Sequence, residues 1–401
     1  MTINNWLSTL IYSLLVLPLF LILFDSFYRL LFLIIAPLPV TKKPQNSDKT
    51  SILRLMLLVV ARNEQSVIEQ TISQLQSQTN FDNSVVVAVL ADNCTDQTAQ
   101  ITSRMGIKVF LRCVGNPGKA QALSWFATEC KDALIDVDII TILDADTLID
   151  KDFCENIRGA FQVGVEVVQG FVNPTSKDGF PLTTLASFSE ILSQKIDDIA
   201  RSRLHWSVQL RGTGMAFRTD VFCQVSEGLG SQVDDIELSI CLAERNILVY
   251  FCPDANVFDP KSDNMIGLAK QRGRWLKGQR QIWQDKGKNI IALLRPNLSS
   301  WSLLLAMLLK PKTALTIVKL SLVAIMIASP FKDNLNIVIL DLTLGSILID
   351  IVYFGTGLKY VSNAQKYVAA FLGLPLLLIL WSISWGFSLF SKQGWLRTRQ
   401  N

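Results

Sequence analysis

Apolar positions fall in two regimes along this chain. In the middle they form short runs separated by helix-spaced stretches, and at both ends they fuse into runs long enough to cross a bilayer. Leu53–Ala61 predicts a buried strand, and Glu64–Gln78 a helix with Val67, Ile68, Ile72 and Leu75 on one side. Val85–Leu90 and Ile107–Leu111 predict further strands around a helix at Thr95–Met105. Asn116-Pro117-Gly118 breaks the chain before a helix at Lys119–Cys130, and Ile139–Leu143 reads as the next strand. From Val165 the pattern mixes, with a strand to Phe171, a helix near Leu185–Ala200, a Gly-punctuated Arg211–Phe217 and a helix at Ile236–Arg245. Repeated βα units imply an α/β domain: a mixed, mainly parallel sheet with helices on both faces.

The long apolar runs are Trp6–Phe24, continued after Asp25 and Arg29 by Leu30–Val40, and then Ala314–Phe331, Leu335–Phe354 and Tyr367–Phe390. A signal peptide is the rival for the first run, but residues 1–5 carry no Lys or Arg and no small-residue cleavage site follows. The expected layout is a membrane anchor over 1–40, a cytosolic domain over 41–290, an interfacial amphipathic helix within 291–311, about three membrane helices over 312–391, and a tail over 392–401. Asp341 and Asp350 interrupt the third run. Nine residues apart, they face opposite sides of a helix; we expect Asp341 to face protein and Asp350 to lie near an interface. Four spans would put Lys392, Arg397 and Arg399 outside, against the positive-inside rule.

Composition narrows the chemistry. The 401 residues are 50% hydrophobic and carry a net charge of +4. Lys42, Lys43, Lys49 and Arg54 follow the first apolar segment, and Lys270, Arg272, Arg274, Lys277, Arg280, Lys286 and Lys288 precede the later ones, which fits a cytoplasmic domain of a multi-pass protein of the cell membrane. No aromatic-interleaved basic surface suggests nucleic acid. Seven scattered Cys without a Cys-x-x-Cys argue for reduced thiols. With His205 as the only histidine, catalysis must run mainly on carboxylates and cations.

Three Asp-x-Asp pairs lie close together, and only Asp144-Ala145-Asp146 sits where a strand stops; Asp136/Asp138 precede that strand and Asp150/Asp152 lie past it. Ligands of open α/β sheets bind beyond the carboxyl ends of strands, and residues i and i+2 of an extended chain can turn two carboxylates toward one hard cation. Ala61-Arg62-Asn63-Glu64 and Asp92-Asn93-Cys94-Thr95-Asp96 end two other strands, placed for a base or ribose; helix capping is the competing reading for Asn63, Glu64 and Asp96. Gly118-Lys119 opens a helix, where N–H groups and an ammonium favour phosphate. Together these strand ends describe a nucleotide-diphosphate cleft.

The motifs, in order, resemble those of family 2 glycosyltransferases: Ala61-Arg62-Asn63-Glu64, Ala91-Asp92-Asn93-Cys94-Thr95-Asp96, Gly118-Lys119-Ala120-Gln121-Ala122-Leu123 and Leu143-Asp144-Ala145-Asp146. Further on, Arg211-Gly212-Thr213-Gly214 resembles the family's Gly-rich acceptor segment, Val233-Asp234-Asp235-Ile236-Glu237-Leu238 its Thr-Glu-Asp-x-x-Leu motif, and Gln271-Arg272-Gly273-Arg274-Trp275 its Gln-x-x-Arg-Trp motif. The resemblance implies a GT-A-type catalytic domain that transfers a sugar, with inversion, from a UDP-sugar to a lipid or membrane-borne glycan. It implies that Asp92 contacts uracil or ribose and that Asp144 helps hold the nucleotide. Asp146 would bind Mg²⁺ or Mn²⁺, a metal site it shares with Asp144. It makes Asp235 the general base, Arg274 the partner of the leaving diphosphate and Trp275 the floor of the acceptor site, with Gln271 in the same motif. Val233-Asp234 departs from Thr-Glu, so Asp234 competes for the base role. A processive polysaccharide synthase and a non-catalytic membrane subunit are the alternatives, and a homo-oligomer or export partner is left open.

Overall fold

The computed structural model describes residues 3–38, 52–79, 83–175, 180–261, 264–292, 298–308, 312–329 and 333–390. Lys42, Lys43 and Lys49 of the first basic cluster and the predicted tail therefore lie outside the described residues. Eight strands form the central sheet: β1 (Leu55–Ala61), β2 (Val85–Asp92), β3 (Lys108–Arg112), β4 (Ile139–Asp144), β5 (Leu148–Ile149), β6 (Val167–Thr175), β7 (Met215–Arg218) and β8 (Val249–Pro260). Their spatial order is β3-β2-β1-β4-β7-β6-β8-β5. The first four are parallel; β7 runs against both its neighbours, β6 and β8 are parallel, and β5 is antiparallel to β8.

Ahead of the sheet lies one long helix, α1 (Ile3–Ile35). Helices α2 (Ile68–Thr79), α3 (Thr98–Arg104), α4 (Lys119–Glu129) and α5 (Phe153–Gln162) alternate with the strands. Then come α6 (Pro181–Leu192), a π-helical turn at Ser193–Asp198, α7 (Ile199–Arg203), α8 (Thr219–Ser226) and α9 (Asp234–Glu244). The C-terminal set is α10 (Met265–Ala292), α11 (Leu298–Leu308), α12 (Lys312–Ala328), α13 (Asn334–Gly357), α14 (Ala364–Ala370) and α15 (Leu374–Phe390).

Every position of β1 is buried, because helices cover both faces of the parallel half. Met56, Leu58 and Val60 pack with Phe126 of α4, Phe222 of α8 and Leu238 of α9. Leu55, Leu57, Val59 and Ala61 turn to the other face, against Ile72 of α2 and Phe153 of α5. Truncating Leu58 to Ala would cost roughly 2–5 kcal/mol.

The pattern placed most elements, but two helices start later than expected and one strand had no signal. The helix after β1 starts at Ile68 rather than Glu64, and α3 starts at Thr98 rather than Thr95. Both loops are held open by each other: Asn63 takes a left-handed φ of 55° and its Oδ1 accepts from the Thr95 N–H at 2.8 Å. β8 is the third surprise. Asp254, Asn256 and Asp259 blur its alternation, and it becomes a strand because β6 offers it a partner, across a register shift at Gly170/Phe171.

At the N-terminus the two expected apolar runs are one helix. Asp25 and Arg29, which seemed to divide them, are buried and bridge each other at 2.9 Å. Lys319 of α12 and Asp350 of α13 complete a cluster: Arg29–Asp350 is 3.1 Å, Lys319–Asp350 2.8 Å and Lys319–Asp25 3.7 Å. The expectation for α13 is thus reversed. Asp350 is the residue buried against protein and Asp341 is the exposed one, because the two cations stand on Asp350's side.

Four spans were expected. Among the described residues two helices are long and apolar enough to cross a membrane, Ser13–Ile35 and Asn334–Tyr360, and a third would require the pair Ala364–Leu377 and Ile379–Leu389, bent by 51°, to act as one. The apolar part of α12, Leu315–Ala328, is shorter than that. The expected interfacial segment contains α11, which exposes Leu298 and Trp301 and buries Ser299, Ser300 and Ser302. Its serines bind the sheet domain: Ser299 Oγ accepts from the Ser207 N–H at 2.8 Å, and Ser302 Oγ from Arg201 Nε at 3.1 Å.

Candidate active site

The carboxyl ends of β2, β1 and β4 stand side by side, and the antiparallel β7 brings its leading loop, residues 211–214, to the same edge. This is where a doubly wound sheet leaves a crevice. Asp144 ends β4 and Asp146 lies in the turn beyond it, both half-buried. The turn is anchored from two sides. Thr71 Oγ1 donates to the Ala145 carbonyl at 2.8 Å, and the Asp144 N–H donates to Thr213 Oγ1 at 3.2 Å.

Lys119, first residue of α4, joins the parts. Its Nζ lies 2.5 Å from Asp144 Oδ1, donates to the Gly212 carbonyl at 2.6 Å, and lies 3.7 Å from Asp234 Oδ2. One ammonium thus holds the carboxylate at the end of β4, the Gly-rich loop and the start of α9 together. Burial alone would lower its pKa; Asp144 first, then Asp234 and Asp235, raise it above the usual lysine value. Lys119 stays charged. Asp234 shows the reverse balance: burial, with Asp235 and Asp144 adding, pushes it up to about 6 against the pull of Lys119 and Arg274. Its side chain is only 14% exposed.

Asp235 is half-buried beside it, with Oδ1 accepting from the Ile236 N–H at 2.9 Å. Glu237 fixes the approach to α9 by accepting from the Gly230 and Ser231 N–H groups at 3.1 and 2.8 Å. Gln271, Arg274 and Trp275 ride on α10. Arg274 is within electrostatic reach of Asp234, and the Trp275 ring is exposed, free to meet a ligand. Two close approaches seat this helix. A Cβ on Gly278 would fall 2.8 Å from the Val233 side chain, and one on Gly273 would fall 2.8 Å from Phe387 Cβ and 3.0 Å from the Ser384 carbonyl. α10 is therefore wedged between the α9 motif and α15.

Not every expected residue reaches the crevice. The Asp92 side chain is 0% exposed, and both its oxygens are taken: Oδ1 pairs with Arg112 and accepts from Asn93 Nδ2, while Oδ2 accepts from the Gly118 N–H at 2.8 Å. In this arrangement Asp92 latches the loop before α4. Ala61 is fully buried at the end of β1, so its side chain offers no nucleotide contact. Asn63 bonds Thr95 and the Glu64 N–H bonds Thr98 Oγ1 at 2.8 Å, so these residues shape the loop rather than cap α2. His205, with a φ of 54°, is an exposed turn residue.

Sequence reasoning missed Thr71 and Gln169. The latter is fully buried, accepts from the Arg211 N–H at 2.9 Å and donates to the Thr213 carbonyl at 3.0 Å. Neither sits in a motif, and no local signal marked them. Gly214, with a φ of 65° and Val257 3.0 Å from where a Cβ would be, is the place where the loop needs glycine.

The residues present fit a divalent ion in a limited way. Asp144 has given Oδ1 to Lys119, which leaves Asp146 as the main candidate, and no group of three metal-ligating side chains occurs among the described residues. Mg²⁺-type sites often use one or two carboxylates and take their remaining ligands from phosphate and water.

Comparisons with known proteins agree with this geometry. A curated relative, the beta-monoglucosyldiacylglycerol synthase of Synechocystis sp., is 27% identical over 251 residues, which is 58% of this chain and 49% of that protein. The chain thus matches about half the length of that relative. The mannosyltransferase PcManGT of Pyrobaculum calidifontis, solved with GDP-Man and Mn²⁺, superposes with a TM-score of 0.55 over 95% of this chain and 98% of that one, at 16% identity. That likeness shows a GT-A glycosyltransferase fold. The family model described as glycosyltransferase like family 2 matches residues 54–278, from β1 to the middle of α10, and the chain belongs to that family.

Proposed function

We propose that this chain is an inverting glycosyltransferase of the cell membrane that moves a sugar from a UDP-sugar to a lipid or membrane-associated glycan. The observation that carries the reading is the Lys119 bridge. It brings Asp144 of the donor side and Asp234, beside Asp235, of the acceptor side to one ammonium. A scaffold that had lost catalysis would have no need to hold two carboxylate motifs from distant parts of the chain around a single crevice.

In this reading Asp235 accepts the proton of the acceptor hydroxyl as that oxygen bonds to the sugar's anomeric carbon. The bond to the nucleotide diphosphate breaks on the opposite face, and the diphosphate leaves with the electron pair. Arg274 meets the charge that develops there, and Lys119 keeps Asp144 and the Gly212 carbonyl in register. Mg²⁺ or Mn²⁺, held mainly by Asp146 with Asp144 beside it, would supply charge neutralisation at the diphosphate. Trp275 offers a flat surface to an acceptor sugar or headgroup. A lipid acceptor is supported by the name of the Synechocystis relative and by the two apolar helices.

The test is nucleotide release by the purified full-length chain in detergent. We expect Mn²⁺-dependent UDP release, stimulated by diacylglycerol-type acceptors and lost in Asp235→Asn. If UDP release is absent, or Asp235→Asn equals wild type, the reading fails. The length of the product on a lipid acceptor separates single transfer from polymerisation.

A further inference from the structure

Several of the shielded cations among the described residues come with carboxylates. Lys119 has Asp144 and Asp234, Arg211 has Asp198, Lys261 has Asp259 and Glu190, and Lys319 has Asp350. Arg272 differs from these. It lies one residue before Gly273 on α10, and its guanidinium stands 5.2 Å over the Trp381 ring of α15. Burial pulls it down to about 10, and no carboxylate among the described residues offsets that. Its Nη1 is shielded from solvent and has no acceptor among the described residues, and the same is true of the Trp381 indole Nε1. Two shielded donors therefore share one helix seam.

The seam does not belong to the proposed donor site. Residues two apart on a helix point about 200° apart. Arg274 faces the acidic start of α9, where its charge is felt by Asp234. Arg272 faces α15, where Gly273 lets the two helices touch. A guanidinium on an aromatic ring is a stable arrangement, but it leaves the in-plane N–H groups unsatisfied. An oxyanion is one partner that satisfies planar N–H donors, and phosphate suits a guanidinium well.

We propose that Arg272 and Trp381 form an anion site at the α10–α15 seam that takes a phosphate group. A phospholipid headgroup or free phosphate could supply it. Beside helices of this apolarity the headgroup is the expected source, and anchoring it there would fix α10 relative to α15 and so seat the Gln-x-x-Arg-Trp segment.

The experiment compares thermal midpoints of the full-length chain in neutral detergent, alone and with phosphatidylglycerol, phosphatidylcholine or inorganic phosphate added. The variants are Arg272→Met, Arg272→Lys and Trp381→Phe. Without added anion, Arg272→Met should be at least as stable as wild type, since it removes an unpaired buried charge. Phosphatidylglycerol should raise the wild-type midpoint by a few degrees, Arg272→Lys and Trp381→Phe by less, and Arg272→Met not at all. The same pattern with inorganic phosphate supports the site and assigns free phosphate as its source. Equal stabilisation of wild type and Arg272→Met by every anion, or stabilisation of neither, overturns the proposal. Mn²⁺-dependent UDP binding should be unchanged in Arg272→Met, so failure here is distinct from failure of the donor reading.

Discussion

Two of the charge clusters that the described residues hold away from water differ in balance. Around Lys119 the carboxylates outnumber the cations: Asp144, Asp234 and Asp235 face Lys119 and Arg274, with Asp146 next in the turn. Between α1, α12 and α13 the count is even, with Asp25 and Asp350 against Arg29 and Lys319. An even, closed set has nothing left to bind and serves as a staple. A surplus of carboxylate costs stability unless something positive or protic arrives. In the proposed reading the unbalanced cluster is where substrate chemistry belongs, and the balanced one is where helices are fastened.

The largest expected effect is on the unbalanced side. Asp235→Asn should lower turnover by ~10³-fold, the ordinary size of a general-base contribution, while leaving the melting midpoint in place. A clear loss that stays under tenfold would move the base role to Asp234, and no loss at all would end the glycosyl-transfer reading. On the balanced side the effect should appear in stability instead. Lys319→Met leaves Arg29 alone with two buried carboxylates and should cost about 3–5 kcal/mol, read as a fall in the detergent melting midpoint, with the turnover of the folded fraction unchanged. Pairing it with Asp350→Asn should restore part of the loss. If Lys319→Met instead spares stability and lowers turnover, the two clusters are not separate in the way described.

Lys119→Met tests the bridge between the two carboxylate motifs. It should weaken UDP binding by roughly 10–100-fold, the worth of charged hydrogen bonds, in an equilibrium titration with Mn²⁺. Asp234 gives a smaller, pH-dependent effect. Its folded pKa, about 6, lies above the unfolded 3.8, so its stabilising contribution is full below pH 3.8 and is lost as pH rises through 6. The wild-type midpoint should therefore fall relative to Asp234→Asn between pH 4 and 7, read from thermal melts across that range. Asp341→Asn closes the series. That carboxylate is exposed on the far side of α13 from Asp350, and its removal should shift stability by no more than about 0.5 kcal/mol.

The same contrast governs what could be read in advance. The alternation of strand and helix from β1 to β4 was legible because burial on both sheet faces imposes short apolar runs, and local spacing records it. Asp144-Ala145-Asp146 was separable from its two look-alikes by its place at the end of a strand. β8 was not legible, since its pairing with β6 rather than its own pattern makes it a strand. Asp92 read as a ligand contact because its position was right; only the fold shows that Arg112 and the Gly118 N–H have already claimed it.

By itself, then, the sequence determined the sheet domain, its motifs in order and the apolar helices at either end, all properties carried by neighbours within a few positions. The tertiary structure decided which charges meet. Lys119 reaches Gly212 across 93 residues, Lys319 finds Asp350 across 31, and Arg272 turns to α15 without a carboxylate. Periodicity is written locally in the chain, whereas the partner of a buried charge is settled by which distant elements close around it.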